Sequence, residues 1–356
     1  MLVGIHKVRQ MSLSSESWSE QEDVPPLTAQ QAAFIAYLSN PRLDQSKATA
    51  FRGAWAGGHM KLRDFFVSRS KLLHDVEQFS WLMIRRRLPP CFWPVVKAYT
   101  DILVTALDAE QLGDEDIVPF STSDFDKVAL FYNTLVYAPT LPAIRRVIHP
   151  LFDFSLAEQI YQSSSQHLVV MDGFLSSEAL DALLRFSLEA TIWHDLKKGY
   201  LGAYMQEGFA NEVLVQLVEE LRVGFPETIG NTSLSQMWAY KYTPGSNGIH
   251  VHADDALVNL NFWIVPDEAN LDPNTGGMVV YDKEPPQGFD STVYNHRGGL
   301  EGSYLDGVPA VHVPYRQNRM VMFRSTKLHA TEPHSFRQGY ANRRINFTLL
   351  FGRRSA

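Results

Sequence analysis

The spacing of apolar residues changes period once along this chain, near residue 234, and that change limits the folds open to it. Upstream, Leu62, Phe65, Phe66, Leu72, Leu73, Val76, Phe79 and Leu82 recur at threes and fours, which draws one apolar stripe along a helix. The Pro89-Pro90 pair is expected to end it. Another helix is expected over 28–38, capped by Thr28 and stopped by Pro41, and a third from about Pro94 to a stop at Gly113. Shorter helices are expected over 125–135 and 141–148. Residues 27–165 therefore read as an all-helical domain that buttresses the C-terminal half, and residues 1–26, ending at Pro25-Pro26, as a flexible leader.

At Ser163-Ser164-Ser165 the character shifts, and 168–175 reads as a buried strand and turn. Ser176 can cap a helix carrying Leu180, Leu183, Leu184 and Leu188, and a second helix carries Leu214, Leu217, Val218 and Leu221 before Gly224. Beyond 234 the period is two. Strands are expected over 236–242, 249–253, 256–265, 277–281, 310–313, 320–323 and 344–351. The turn signals Pro244-Gly245-Ser246-Asn247-Gly248 and Asn274-Thr275-Gly276-Gly277 separate them. Short strands with frequent turns suit a sandwich or jelly roll, so the fold class is α+β, with the β-core in a domain over 166–356. Residues 285–317 form a long insertion suited to a lid or substrate wall.

Composition excludes several functions. A net charge of −7 offers no field for holding nucleic acid non-specifically. No apolar run approaches the roughly 20 residues of a membrane span. The single cysteine, Cys91, can form neither an internal disulfide nor a cysteine-based zinc site, which suits a reducing compartment such as the cytoplasm. Lys7, Arg9 and the early serines leave an organellar transit peptide as the lesser alternative.

The chemistry concentrates in Gly248-Ile249-His250-Val251-His252-Ala253-Asp254. On a strand, His252 and Asp254 share a face and can bind one metal. His329 follows 75 positions after Asp254 (329−254), placed to arrive on a later strand. Two histidines and a carboxylate on one face of iron leave three positions open, as in non-haem Fe(II) oxygenases. Arg344 comes 15 positions later (344−329), and alternation points Arg344, Asn346 and Thr348 to one side. An arginine facing into a barrel is costly unless it meets an anion, and its fork suits a carboxylate. Asn259 and Asn261 are unexpected in an otherwise apolar core strand, and buried amides there need partners.

Together these residues resemble the Fe(II)/2-oxoglutarate-dependent dioxygenases, in particular the prolyl-hydroxylase-like group, over about residues 167–351. The likeness rests on the Asp172-Gly173-Phe174-Leu175 opening, Tyr242, His252-Ala253-Asp254, Gly276-Gly277, the segment from Arg319 to His329, and Arg344. It implies a double-stranded β-helix with His252, Asp254 and His329 as iron ligands and Arg344 as anchor for the distal carboxylate of 2-oxoglutarate. It also implies Tyr242, Asn261 and Asn346 as polar lining of the co-substrate site. The activity implied uses Fe(II), 2-oxoglutarate and O2 to oxidise a C–H bond, releasing succinate and carbon dioxide. Halogenation is not expected, because the carboxylate ligand is retained. The substrate expected is a small acidic or amino-acid-derived metabolite, hydroxylated or cyclised as in kainoid-type biosynthesis, which Arg324, Lys327 and Arg343 could greet. The alternatives are a peptidyl, prolyl-type hydroxylase and a non-catalytic, cupin-like metal-binding or sensing module. His250 is expected beside the site without ligating, and His312 and His334 on the surface or towards substrate.

Overall fold

The computed structural model describes residues 62–105, 116–286 and 302–353. The leader, the helix expected over 28–38, the Gly113 stop and residues 287–301 of the insertion lie outside the described residues. Helices α1 to α6 span Arg69–Ile84, Trp93–Thr105, Thr122–Val128, Phe154–Ser163, Ser177–Glu189 and Glu212–Gly224. Strands β1 to β5 span Phe66–Val67, Val118–Pro119, Leu168–Asp172, Asp195–Lys197 and Tyr200–Tyr204. Strands β6 to β10 span Leu234–Tyr242, Ile249–His252, Val258–Trp263, Met278–Tyr281 and Ala310–Val313. Strands β11 to β13 span Arg319–Arg324, His329–Thr331 and Ile345–Phe351.

The chain divides into two compact units. The first takes the described residues up to Thr140 together with Phe186–Leu201. Its core joins Leu72, Val76, Phe79 and Leu82 of α1 to Val95, Tyr99 and Ile102 of α2. The apolar stripe read from the sequence is that face. The helix does not begin at Leu62, however. Ser68 caps it, its hydroxyl accepting from the Lys71 amide at 3.0 Å, and Leu62–Phe65 forms a 3-10 turn leading into β1. It also stops at Ile84, ahead of the proline pair, where Arg86 takes a left-handed φ of 56°.

The second unit takes Leu141–Arg185 and the chain from Gly202 onward. The helix expected over 141–148 is absent. Pro142 lacks a donor, and the Val147 and Ile148 amides bond the Glu220 carboxylate at 2.9 and 2.8 Å instead of a preceding turn. In its place α4 starts later, with Asp153 accepting from the Leu156 amide at 2.9 Å.

Two antiparallel sheets form the β-core of this unit. The larger runs β3-β11-β8-β13-β6, with β5 beside β6, and the smaller runs β10-β9-β12-β7. In the larger sheet one face is apolar. Phe262 of β8 and Phe347 of β13 are paired across the strands with ring centroids 5.0 Å apart. Phe174, at 5.4 Å from Phe262, and Phe209, at 4.9 Å from Phe347, continue that layer. By alternation the other face carries Asn259, Asn261, Asn346 and Thr348. Side chains of both sheets line one cavity on that side. Gly277 sits where β9 begins, and a Cβ there would collide with the Val313 carbonyl oxygen of the neighbouring strand. That explains a glycine at the place where a backbone must pass close by.

Candidate metal centre and co-substrate cavity

His252 is the last residue of β7, and His329 opens β12 directly opposite it in the antiparallel ladder. Their rings lie 4.2 Å apart between centroids, a cross-strand pair. Asp254 does not share a strand with His252 as alternation suggested. β7 ends first, and the carboxylate sits in the turn before β8, held from the sheet by Asn259 Nδ2 donating to its Oδ2 at 2.7 Å. Ser325 anchors the same turn through Oγ to the Asp254 carbonyl at 3.2 Å. The result is one compact donor set. Ligand atoms of His252, Asp254 and His329 lie within 4.8 Å of one another, and no other such group occurs among the described residues.

Each imidazole is oriented by its own backbone. His252 Nδ1 meets the His250 carbonyl at 2.8 Å, and His329 Nδ1 meets the Lys327 carbonyl at 3.0 Å. A carbonyl only accepts, so both Nδ1 atoms donate and both Nε2 lone pairs are left for a cation. His329 Nε2 is 3.4 Å from Asp254 Oδ2. Burial, followed by the neighbouring His329, lowers His252 to about 4, so its ring is neutral at pH 7. Burial alone would raise the Asp254 carboxyl, but the two histidines and Asn259 outweigh it and hold it below its ordinary value. A neutral His252 imidazole beside an ionised Asp254 carboxylate suits a divalent metal.

A ladder of amides supports the carboxylate. Asn261 Nδ2 donates to Asn259 Oδ1 at 2.6 Å, and Asn261 Oδ1 accepts from Asn346 Nδ2 at 3.0 Å and from Thr348 Oγ1 at 2.8 Å. The partners that the buried asparagines required are thus largely one another. Replacing Asn259 by alanine is expected to weaken Fe(II) binding about 10- to 100-fold, read by competition with a chromophoric chelator. Unchanged affinity would mean that this ladder does not orient Asp254.

Further along the cavity lies Arg344, whose side chain is among the largest fully buried ones. Nε donates to the Gly276 carbonyl at 2.7 Å and Nη2 to the Gly277 carbonyl at 3.2 Å. The guanidinium lies 4.6 Å from the Tyr242 ring centroid and 5.7 Å from that of Trp263. Nη1 is buried with no hydrogen-bond partner. Burial lowers the Arg344 pKa and raises that of Tyr242. Tyr242, Asn261 and Asn346 all line this cavity with Arg344, His252, Asp254 and His329.

His334 is not on the surface. It is 5% exposed and packs edge-on against Tyr242, with centroids 4.9 Å apart. Burial, then the Arg344 charge, pushes it down to about 3. An unfolded histidine takes up its proton near pH 6.5, so stability is flat above that pH and falls as pH drops from 6.5 towards 3. Urea unfolding of the metal-free chain at pH 7 and pH 4.5 is expected to show this. His334→Gln should remove about 2–3 kcal/mol of the difference, and an unaltered difference would place the ring elsewhere. His312 is exposed and meets Glu332 Oε1 at 3.0 Å, and His250 is exposed beside the site.

Trp238, Tyr240 and Thr331 also line the cavity and were not singled out from the sequence. Alternation along β6 with Tyr242 was the available signal for the first two. Another cavity, about 730 Å³, lies beside α4 and α6. Its acids are already engaged: Glu220 and Glu158 bind backbone amides, and Glu219 binds Arg222. In the helical unit, buried Lys71 is likewise satisfied by Asp75. No described helix is long and apolar enough to cross a membrane.

No protein-family model and no curated protein matches the chain. Solved structures do match over part of it. A prolyl-4-hydroxylase from Pseudomonas putida is 16% identical, covering 56% of this chain and 99% of its own, at a TM-score of 0.37. The non-haem α-ketoglutarate-dependent carbocyclase SnoK from nogalamycin biosynthesis is 12% identical over 59% of this chain and 87% of its own, at 0.41. HygX from Streptomyces hygroscopicus, with nickel, 2-oxoglutarate and hygromycin B bound, is 13% identical over 54% and 85%, at 0.40.

Proposed function

We propose that this chain is an Fe(II)- and 2-oxoglutarate-dependent oxygenase of a small molecule, its two antiparallel sheets being the halves of a double-stranded β-helix. One observation carries the reading. A two-histidine, one-carboxylate donor set shares a cavity with a buried guanidinium that lacks a partner for Nη1. The donors suit iron with open positions, and the unmatched cation suits a dicarboxylate. A zinc hydrolase would use similar ligands but leaves Arg344 without a task.

His252 and His329 would hold the metal through Nε2, and Asp254 through a carboxylate oxygen. Bound there with 2-oxoglutarate, the metal supplies the O2-dependent oxidation of a C–H bond, by hydroxylation or ring closure. The chain's own residues position and exclude. The His250 and Lys327 carbonyls fix the imidazoles, and Asn259 fixes the carboxylate. Arg344, flanked by Tyr242 and Trp263 rings, would grip the distal carboxylate in surroundings shielded from water.

Anaerobic addition of Fe(II) and 2-oxoglutarate tests this. A weak visible charge-transfer band should appear, and it should be missing in His252→Ala. Absence of the band in the parent protein overturns the reading. Succinate release on admitting O2, compared among free metabolites and proline-containing peptides, separates the small-molecule reading from the peptidyl one. A band without any succinate release favours the non-catalytic sensing module.

A further inference from the structure

Some aromatic residues of the cavity have no task in holding metal or keto acid. Trp238, Tyr240 and Tyr242 alternate along β6 and all line the cavity. Tyr242 lies beside Arg344. Trp238 and Tyr240 sit further along, opposite Thr348 and Asn346 of β13. Thr348 in turn is opposite Asn261, one inward-facing step from Asn259, the partner of Asp254. Trp238 is therefore near the level of the metal ligands, away from the guanidinium.

Tyr204 of β5 completes the group. Ring centroids are 5.9 Å apart for Trp238 and Tyr240, 6.3 Å for Tyr204 and Trp238, and 6.4 Å for Tyr204 and Tyr240. Trp238 is 7% exposed, and its Nε1 is buried without a partner. A buried indole N–H ordinarily finds an acceptor, so an unmatched one in a cavity wall calls for a ligand atom.

Charge narrows the ligand further. Arg344 is the one cation among the described residues lining the cavity, and the keto acid would occupy it. The basic residues expected to greet an acid do not line it. Lys327 bonds Asp282 at 2.7 Å, Arg324 lies 3.9 Å from Glu284, and Arg343 is buried outside the cavity lining. A second carboxylate beside Asp254 would be buried with no cation of its own, which is costly.

We propose that Trp238 and Tyr240, backed by Tyr204, form the substrate wall. The primary substrate is then an uncharged small molecule with a ring to pack on that wall and a carbonyl or ether oxygen for Trp238 Nε1. This deepens the oxygenase reading, rests on it, and replaces the acidic metabolite expected from the sequence.

The test uses the full chain loaded anaerobically with Fe(II) and 2-oxoglutarate, then titrated with benzamide or benzoate, which share a ring and differ in charge. The charge-transfer band is read first, and its change on titration reports binding beside the metal. Benzamide is expected to bind at least about tenfold tighter than benzoate, because the anion finds no cation. Trp238→Phe keeps a ring and removes the N–H, and should weaken benzamide about fivefold, the worth of one neutral hydrogen bond. Equal or tighter binding of benzoate, no binding of either compound, or parental affinity in Trp238→Phe overturns the proposal. The comparison of the two compounds on the parent protein stands whether or not the variant folds. A sample that gives no band at the outset overturns the oxygenase reading itself, so the two failures are told apart.

Discussion

Replacing Asp254 by alanine is expected to lower Fe(II) affinity by more than about 100-fold, beyond the 10–100-fold typical of losing a supporting partner. The carboxylate is the only anion in the donor set, and it stands beside His252, whose ring is neutral at pH 7. Without it the set offers two imidazole nitrogens and no compensation for the charge of the metal. The substitution has a second consequence that separates ligation from folding. Asn259 Nδ2 loses its acceptor, and a buried amide without a partner costs about 1–3 kcal/mol. Asp254→Asn keeps an oxygen for Asn259 while removing the charge. Calorimetric titration under anaerobic conditions should therefore show metal binding lost in both variants, and urea unfolding should show the metal-free chain weakened mainly in the alanine one. Tight Fe(II) binding by Asp254→Ala would show that this donor set is not the metal centre.

The second large effect is expected at Arg344. Its Nε and Nη2 are spent on the Gly276 and Gly277 carbonyls, and Nη1 is left buried without a partner. Breaking one side of a buried charge pair costs about 2–5 kcal/mol, which is roughly 30-fold to several thousandfold in affinity. Arg344→Met should weaken 2-oxoglutarate binding to the Fe(II)-loaded protein within that range. Arg344→Lys, which keeps the charge but lacks the fork, should fall between methionine and the parent. Pyruvate supplies the control, since it can chelate a metal as 2-oxoglutarate does but has no distal carboxylate. The parent should prefer 2-oxoglutarate strongly over pyruvate, and Arg344→Met should lose most of that preference. Equal affinity of parent and Arg344→Met for 2-oxoglutarate would show that the guanidinium serves the fold and not a ligand.

Much of the β-core was legible because strand alternation is a local property. The expected strands at 310–313 and 344–351 agree with β10 and β13 to within a residue, and Arg344, Asn346 and Thr348 do share the cavity side. The same logic failed at Asp254, where period two was extended past the end of β7. The helical errors have a similar origin. The stripe from Leu62 continued through a point where the Ser68 hydroxyl restarts the helix, and 141–148 lost its helix to the Glu220 carboxylate, 72 positions from Ile148 (220−148). A bond from so far along the chain leaves no trace in local periodicity.

His334 and Trp238 show the remaining gap. Nothing in the sequence neighbours of His334 marks it as buried against Tyr242, and nothing near Trp238 marks its indole N–H as unmatched. The amino-acid order by itself determined that Arg344, Asn346 and Thr348 share one side, because backbone geometry sends neighbouring side chains to opposite sides. Only the tertiary structure decided that His329 stands opposite His252 across 77 positions (329−252), that Asp254 is held from β8, and that one guanidinium nitrogen is left unmatched. Those outcomes depend on which strands pair and which polar atoms remain over once the core has closed, and both are settled by packing between distant segments.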